Sequence, residues 1–154
     1  MRHISRIFVH CTASWQQTTT EESLREEFRK KGWKKPGYHY VVRTDGSIIR
    51  MLDESHVANG VKNYNAHSIH VAWIGGIDKA HPQGTDNRTQ EQKTALFDLI
   101  AKLRMKYPDA VVMGHRDISA DKNGNGIIDP WERIKECPCF DAMVEYKDIN
   151  AIKV

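Results

Sequence analysis

His10, His115 and Cys137 are residues of this 154-residue chain whose types could do chemistry together. Two neutral imidazoles and one thiolate are a donor set for a borderline-soft divalent cation, above all zinc. Three protein donors leave a fourth tetrahedral position open, the pattern of catalytic rather than structural zinc. Far apart in sequence, they offer no local ligand spacing to test, and on residue types alone two histidines and a distant cysteine coexist by chance in many chains of this size. Cys139, two residues beyond Cys137, is a competing thiolate donor. With Cys11 the cysteines number three, an odd count that argues against a disulfide framework in a chain without an export signal.

A second constellation lies between the second histidine and the cysteine pair. Residues 121–132 satisfy the twelve-residue calcium-loop pattern D-x-[DN]-x-[DN]-G-x5-E at every specified position. Oxygens of Asp121, Asn123, Asn125, the Ile127 carbonyl, Asp129 and a bidentate Glu132 would surround calcium, with Gly126 at the sharp turn. Asparagine at two ligand positions implies modest affinity. No helix is expected before Asp121, so this would be an isolated loop rather than a paired hand. The alternative reading is a polar Asn-Gly turn with incidental acids.

The elements that must hold these residues follow from periodicity. Ile7 to His10 reads as a buried strand that carries His10 at its end, and Ala110 to Met113 as a last strand that delivers His115. Residues at strand ends are anchored by the sheet yet face open space. Thr18 to Thr20 with Glu21 and Glu22 open a helix through about Lys31, with Leu24 and Phe28 on its buried face. Tyr38 to Arg43 and Ser47 to Met51 predict a hairpin turned at Thr44-Asp45-Gly46. Ser68 to Ile74 is a further strand between two polar loops. Thr89 with Gln92 forms a capping box for a helix whose apolar stripe is Leu96, Leu99, Ile100 and Leu103 and which stops before Pro108. A short last helix is expected to begin near Pro138.

The bulk properties bound the rest. A chain of this length makes one domain with a real core. A net charge of +3 suits an anionic polymer such as cell wall, or a balanced solvated surface, and is too small to argue for nucleic acid. No apolar run is long enough to span a membrane, and the first residues carry no apolar stretch of the kind that directs secretion.

Four segments, read in order, carry a family likeness: Phe8-Val9-His10-Cys11-Thr12-Ala13; Gly37-Tyr38-His39-Tyr40 with Arg43-Thr44-Asp45-Gly46; Tyr64-Asn65-Ala66-His67-Ser68-Ile69 through Gly75-Gly76-Ile77-Asp78; and Gly114-His115 with Lys135-Glu136-Cys137-Pro138-Cys139-Phe140-Asp141. Across nearly its whole length the chain resembles the type 2 N-acetylmuramoyl-L-alanine amidases, the group of lysozyme-type phage amidases and peptidoglycan-recognition proteins. The resemblance implies an α/β fold: one domain over 1–154, a central mixed sheet of about five strands flanked by helices, the zinc site at one edge of the sheet, and the 121–132 loop as an insertion. It implies zinc ligands His10, His115 and Cys137, catalytic residues Tyr38 and Lys135, and a peptidoglycan or muropeptide substrate, with a monomer expected. His39 and His67, inside the family motifs, are expected in the groove; His56, His70 and His81 read as surface or turn residues.

Three departures sharpen the expectation. Ile69 to Ile74 has no carboxylate where some relatives carry a glutamate base, which favours chemistry by Tyr38 and Lys135. Cys139 stands where serine is common. The 59–63 loop lacks a histidine that some relatives have. The expected activity is zinc-dependent hydrolysis of the bond between N-acetylmuramic acid and L-alanine, by a lytic enzyme that acts on the wall; the alternatives are a non-catalytic peptidoglycan-binding module and a cytosolic muropeptide-recycling amidase. Because Glu132 is three residues before Lys135, calcium folding the insertion would also place Lys135 and Cys137.

Overall fold

The computed structural model describes residues 2–133 and 135–153. The alternating apolar runs pair into one mixed sheet of five strands: β1 (Arg6–Cys11), β2 (Tyr40–Val42), β3 (Ile48–Arg50), β4 (Ser68–Trp73) and β5 (Val111–Gly114), in the order β3-β2-β4-β1-β5. β1 runs parallel to both β4 and β5, and β2 is parallel to β4. β2 and β3 form the antiparallel hairpin that Asp45-Gly46 announced. Three parallel pairings therefore bring the carboxyl ends of β1, β2, β4 and β5 to one side of the sheet, where open α/β sheets place their sites.

Period-2 alternation sorts the two faces. Ile7, Val9 and Cys11 of β1 join Ile69, Val71 and Trp73 of β4 against Leu96, Ile100 and Leu103 in the main core. The last three belong to α2 (Gln90–Lys106), started by the Thr89–Gln92 capping box. Each such aliphatic side chain contributes roughly 1.5–3 kcal/mol by leaving water. On the opposite face Val41, Ile49, Ala72 and Ile74 pack on Leu24 and Phe28 of α1 (Glu21–Lys30), capped by Thr20 and closed at Lys31 and Gly32. Phe8, His10 and His70 point to this second face as well.

Two expectations shift. β2 begins at Tyr40 rather than Tyr38, because the His39 carbonyl turns to accept from both Met51 and Leu52 and the chain leaves the ladder there. The terminal helix starts at Ala142 rather than near Pro138 and is split into α3 (Ala142–Glu145) and α4 (Lys147–Asn150); Asp141 is the N-cap, accepting from the Val144 N–H. Residues 137–140 form a turn instead. Its anchor is Arg88, whose buried guanidinium forks onto Glu145 at 2.6 and 2.8 Å, pairs with Asp86 at 2.8 Å and lies 3.5 Å over the Phe140 ring. At the sheet edge, Asn150 accepts from the Val112 N–H and donates to the Val112 carbonyl, covering backbone groups that an edge strand leaves open. Among the described residues no helix is long and apolar enough to cross a membrane.

Candidate metal centre and catalytic cleft

His10 is the penultimate residue of β1, with its Nδ1 3.7 Å from Cys137 Sγ. His115 opens a 3-10 turn (His115–Ile118) directly after β5, its ring edge-on to that of His10 at 5.1 Å. Donor atoms of the three side chains all lie within 4.8 Å of one another, and among the described residues they are the one group of three histidine, cysteine or acidic donors brought so close. A tetrahedral zinc with its usual bond lengths spaces neighbouring donors by about 3.5 Å, so the residues fit the ion. Protonation fits too. Burial, with neighbouring His70, His115 and Lys135, holds the His10 imidazole well below its ordinary pKa; burial and Lys135 lower His115 to about 4. Both rings are neutral at neutral pH, the form that offers a lone pair. The Cys11 N–H donates to Cys137 Sγ at 3.2 Å and helps to fix the sulfur in place.

Cys137 reaches the histidines through backbone ties. The Arg116 N–H donates to the Cys137 carbonyl at 2.9 Å, and Trp73 Nε1 donates to the Pro138 carbonyl at 3.2 Å. Gly114 is needed for this approach, since a Cβ there would sit 2.6 Å from Pro138 Cδ. Cys139 turns away from the histidines. Its Sγ lies 3.6 Å from Cys11 Sγ and 3.6 Å from the Gly76 carbonyl.

Tyr38 stands at the wall of the same cleft, its ring 5.2 Å from His10 and 5.5 Å from Phe28, its hydroxyl donating to the Cys11 carbonyl at 3.4 Å. Burial, with the Cys137 and Cys11 thiols and the Glu27 carboxylate adding, holds this phenol protonated, well above its ordinary pKa. Exposed Lys135 lines the opening. The cleft, of about 190 Å³, adjoins a second of about 440 Å³ that shares Trp33, Asn59, Gly60, His115 and Lys135, making a groove past the donor group. Sequence reasoning missed what α1 supplies to it: Glu27 and Lys31, paired at 3.6 Å, with Lys31 4.9 Å over the Trp33 ring. The i,i+4 spacing of that pair is a helix-surface signal and does not say that the surface lines a groove.

The other histidines depart from expectation. His39 is fully buried, donating from Nε2 to the His56 carbonyl at 2.8 Å, and His67 is exposed beside the His3 carbonyl, so neither lines the groove. His56 and His81 are exposed, as expected for surface residues. His70 is not: it is fully buried, with Nδ1 2.9 Å from His10 Nε2. Its place between Ile69 and Val71 was the available signal, because a strand interior alternates faces rather than surfacing.

The 121–132 loop closes on its own N–H groups. Asp121 accepts from Gly124 and Gly126 at 3.0 and 2.8 Å, and Asn123 and Asn125 both donate to Asp129 Oδ2. The Glu132 carboxylate is buried and accepts from the backbone of Lys122, Asn123 and Asp129. Asp121, Asp129 and Glu132 do not form a group like that of His10, His115 and Cys137.

A mixed sheet that presents an open cluster of metal donors in a groove at its carboxyl ends is an arrangement suited to metal-assisted hydrolysis. The chain belongs to the N-acetylmuramoyl-L-alanine amidase family, whose profile matches residues 1–132. It is 34% identical over 139 residues to the endolysin of Enterobacteria phage K11, covering 89% of this chain and 82% of that protein. With the endolysin of Escherichia phage T7 it shares 32% over 136 residues, 88% and 80% of the two chains. Among solved structures it is similar to the N-acetylmuramoyl-L-alanine amidase LysC of Clostridium intestinale, at TM-score 0.72 and 25% identity over 97% of this chain and 85% of that one. Drosophila PGRP-LB shares the fold at TM-score 0.67 and 19% identity, over 96% and 81%. The family match ends at Glu132 and does not extend to Lys135 or Cys137, which only the geometry brings beside His10 and His115.

Proposed function

We propose that the protein is a lytic, zinc-dependent amidase that hydrolyses the bond between N-acetylmuramic acid and L-alanine in peptidoglycan, with His10, His115 and Cys137 holding the ion and Tyr38 and Lys135 acting on the substrate. The observation that carries this reading is the convergence of two neutral imidazoles and a thiol in the groove of an amidase-family fold. Bound there, zinc supplies Lewis acidity toward the scissile carbonyl and the attacking water. The chain's own groups do the rest. The groove orients the lactyl carbonyl against the donor group, and Trp33 and Phe28 give the sugar and peptide an apolar wall. Lys135 places fixed positive charge beside the oxygen that becomes anionic as water adds. Tyr38 keeps its proton and hydrogen-bonds the same centre. The C–N bond breaks, the carbonyl carbon keeps the water oxygen, and L-alanine leaves as a protonated amine.

The endolysin relatives support a lytic role on the wall. A binding module without catalysis needs no thiol among the donors, and the Cys137 position counts against it. The calcium reading of the 121–132 loop is kept as a separate proposal from its sequence pattern, in which the ion would replace the N–H groups now on Glu132. The test of the main proposal is digestion of purified sacculi by zinc-loaded and zinc-stripped protein. The expected products are intact stem peptides with a free L-alanine amine, formed only with zinc; shortened peptides or new reducing sugar ends would refute the assignment.

A further inference from the structure

We infer that His70 is the positioning residue of the metal centre: its imidazole holds the His10 ring in the tautomer and orientation that turn Nδ1 toward Cys137 and His115. The inference rests on the metal-centre reading above and goes beyond it, to a side chain outside the ligand set.

The register places the two rings on one face of adjacent parallel strands, with His70 opposite Phe8 and His10 two residues further along. His10 Nδ1 faces the cysteine at 3.7 Å and His10 Nε2 faces His70 Nδ1 at 2.9 Å. A neutral imidazole carries one proton on two nitrogens. For Nδ1 to offer its lone pair to a cation, the proton must sit on Nε2, and that N–H needs an acceptor. His10 is 2% exposed and His70 0%, so bulk water is not the acceptor. His70 Nδ1 is.

The assignment propagates. With its Nδ1 accepting, His70 carries its own proton on Nε2, an atom that is buried without a hydrogen-bond partner. Such an orphan is unfavourable, and a leucine or phenylalanine would fill the same space without one. Packing alone therefore does not explain a histidine here. The ring is also held still. It stacks between Phe8, at 5.5 Å and 7°, and His39, at 6.0 Å and 1°. His39 is itself fixed, accepting from the His70 N–H on Nδ1 at 3.0 Å and donating from Nε2 to His56. Gly60 closes the remaining side, where a Cβ would come within 2.3 Å of His70 Nδ1. The groove loop thus lies directly on the ring that orients the ligand.

The test compares wild type with His70→Leu, which fills the volume and removes the acceptor, and His70→Asn, whose Oδ1 falls near the place of Nδ1. The readouts are zinc affinity by competition with a chromogenic chelator, the visible spectrum of the cobalt-substituted protein, and melting of the metal-free chain. His70→Leu is expected to bind zinc about 10–100-fold more weakly, with an altered cobalt spectrum and an unchanged or higher metal-free melting temperature; His70→Asn should stay within about threefold of wild type. Wild-type affinity in His70→Leu, or equal loss in both variants, overturns the inference. Should His70→Leu fail to fold, nitrogen-15 NMR of metal-free wild type decides: an Nε2-protonated His10 is expected, and an Nδ1-protonated one overturns it. A wild-type chain that takes up no zinc overturns the metal-centre reading and this inference with it, whereas zinc uptake unaffected by His70→Leu overturns this inference alone.

Discussion

At the scale of single residues, the centre separates two thiols that the sequence leaves side by side. Cys137 Sγ faces His10, whereas Cys139 Sγ faces Cys11. Cys137→Ser should therefore lower zinc content well below one ion per chain, and Cys139→Ser should leave it at one, as read by metal analysis after dialysis. Comparable losses in the two variants would contradict the geometry. Tyr38 is a different case, since its proposed role is at the substrate and not at the ion. Tyr38→Phe removes one hydroxyl whose partner in the free protein is the Cys11 carbonyl at 3.4 Å. It should reduce kcat about 10²–10³-fold, the span of a lost hydrogen-bond donor to the developing charge, with zinc affinity and melting temperature near wild type. Cys137 and Tyr38 were singled out in the sequence through the family resemblance rather than by residue type. His70 was not, because nothing in a one-dimensional string says that a strand-interior histidine faces another histidine two strand positions away.

At the scale of elements, the turns after the strands carry the strictest demands. Gly76 has φ +100°, and a Cβ on it would meet Cys11 Sγ at 2.7 Å. Gly76→Ala should destabilise the protein by about 3 kcal/mol, combining backbone strain with overpacking, measured as a lower urea midpoint; an unchanged midpoint would show that the β4 turn has slack. The 121–132 loop makes a second prediction. Glu132 collects three backbone N–H groups in a buried position, so Glu132→Ala should lower the melting temperature even in calcium-free buffer and reduce activity through the neighbouring Lys135 and Cys137. The calcium proposal adds a separate outcome, a stabilisation by calcium that disappears in Glu132→Ala. No effect of the substitution without calcium would mean that the loop is not clasped as the structure shows. The hairpin, both long helices and their capping boxes were readable from spacing because they are local. The end of the chain was less so: Arg88, from the loop before α2, anchors the turn and displaces the terminal helix to Ala142.

At the scale of the whole molecule, the buried histidines couple stability to pH. In an unfolded chain each titrates near 6.5. In the folded, metal-free protein burial and Lys135 bring His115 to about 4, while burial and the neighbouring rings hold His10 and His70 well below their ordinary value. The unfolded state therefore binds more protons once the pH drops under about 6.5. Stability from these groups is present in full above that value and is lost as the pH falls through the folded pKa values. His115 alone accounts for a loss of up to about 3 kcal/mol by pH 4. Denaturant melts of metal-free protein should show midpoints falling steadily from pH 7 to pH 4.5; a flat profile over that interval would contradict the buried neutral imidazoles.

By itself the sequence determined the strands, the two long helices, the hairpin and the donor types, because each rests on contacts between residues a few positions apart or on an ordered set of motifs. Only the tertiary structure decided which cysteine meets the histidines, that His39 and His67 lie outside the groove, that α1 walls it, and that His70 backs His10. Those are choices between faces and partners distant in the chain. They are settled by strand register, by the crossovers that stack β5, β1 and β4 side by side, and by the close approaches that Gly60, Gly76 and Gly114 permit.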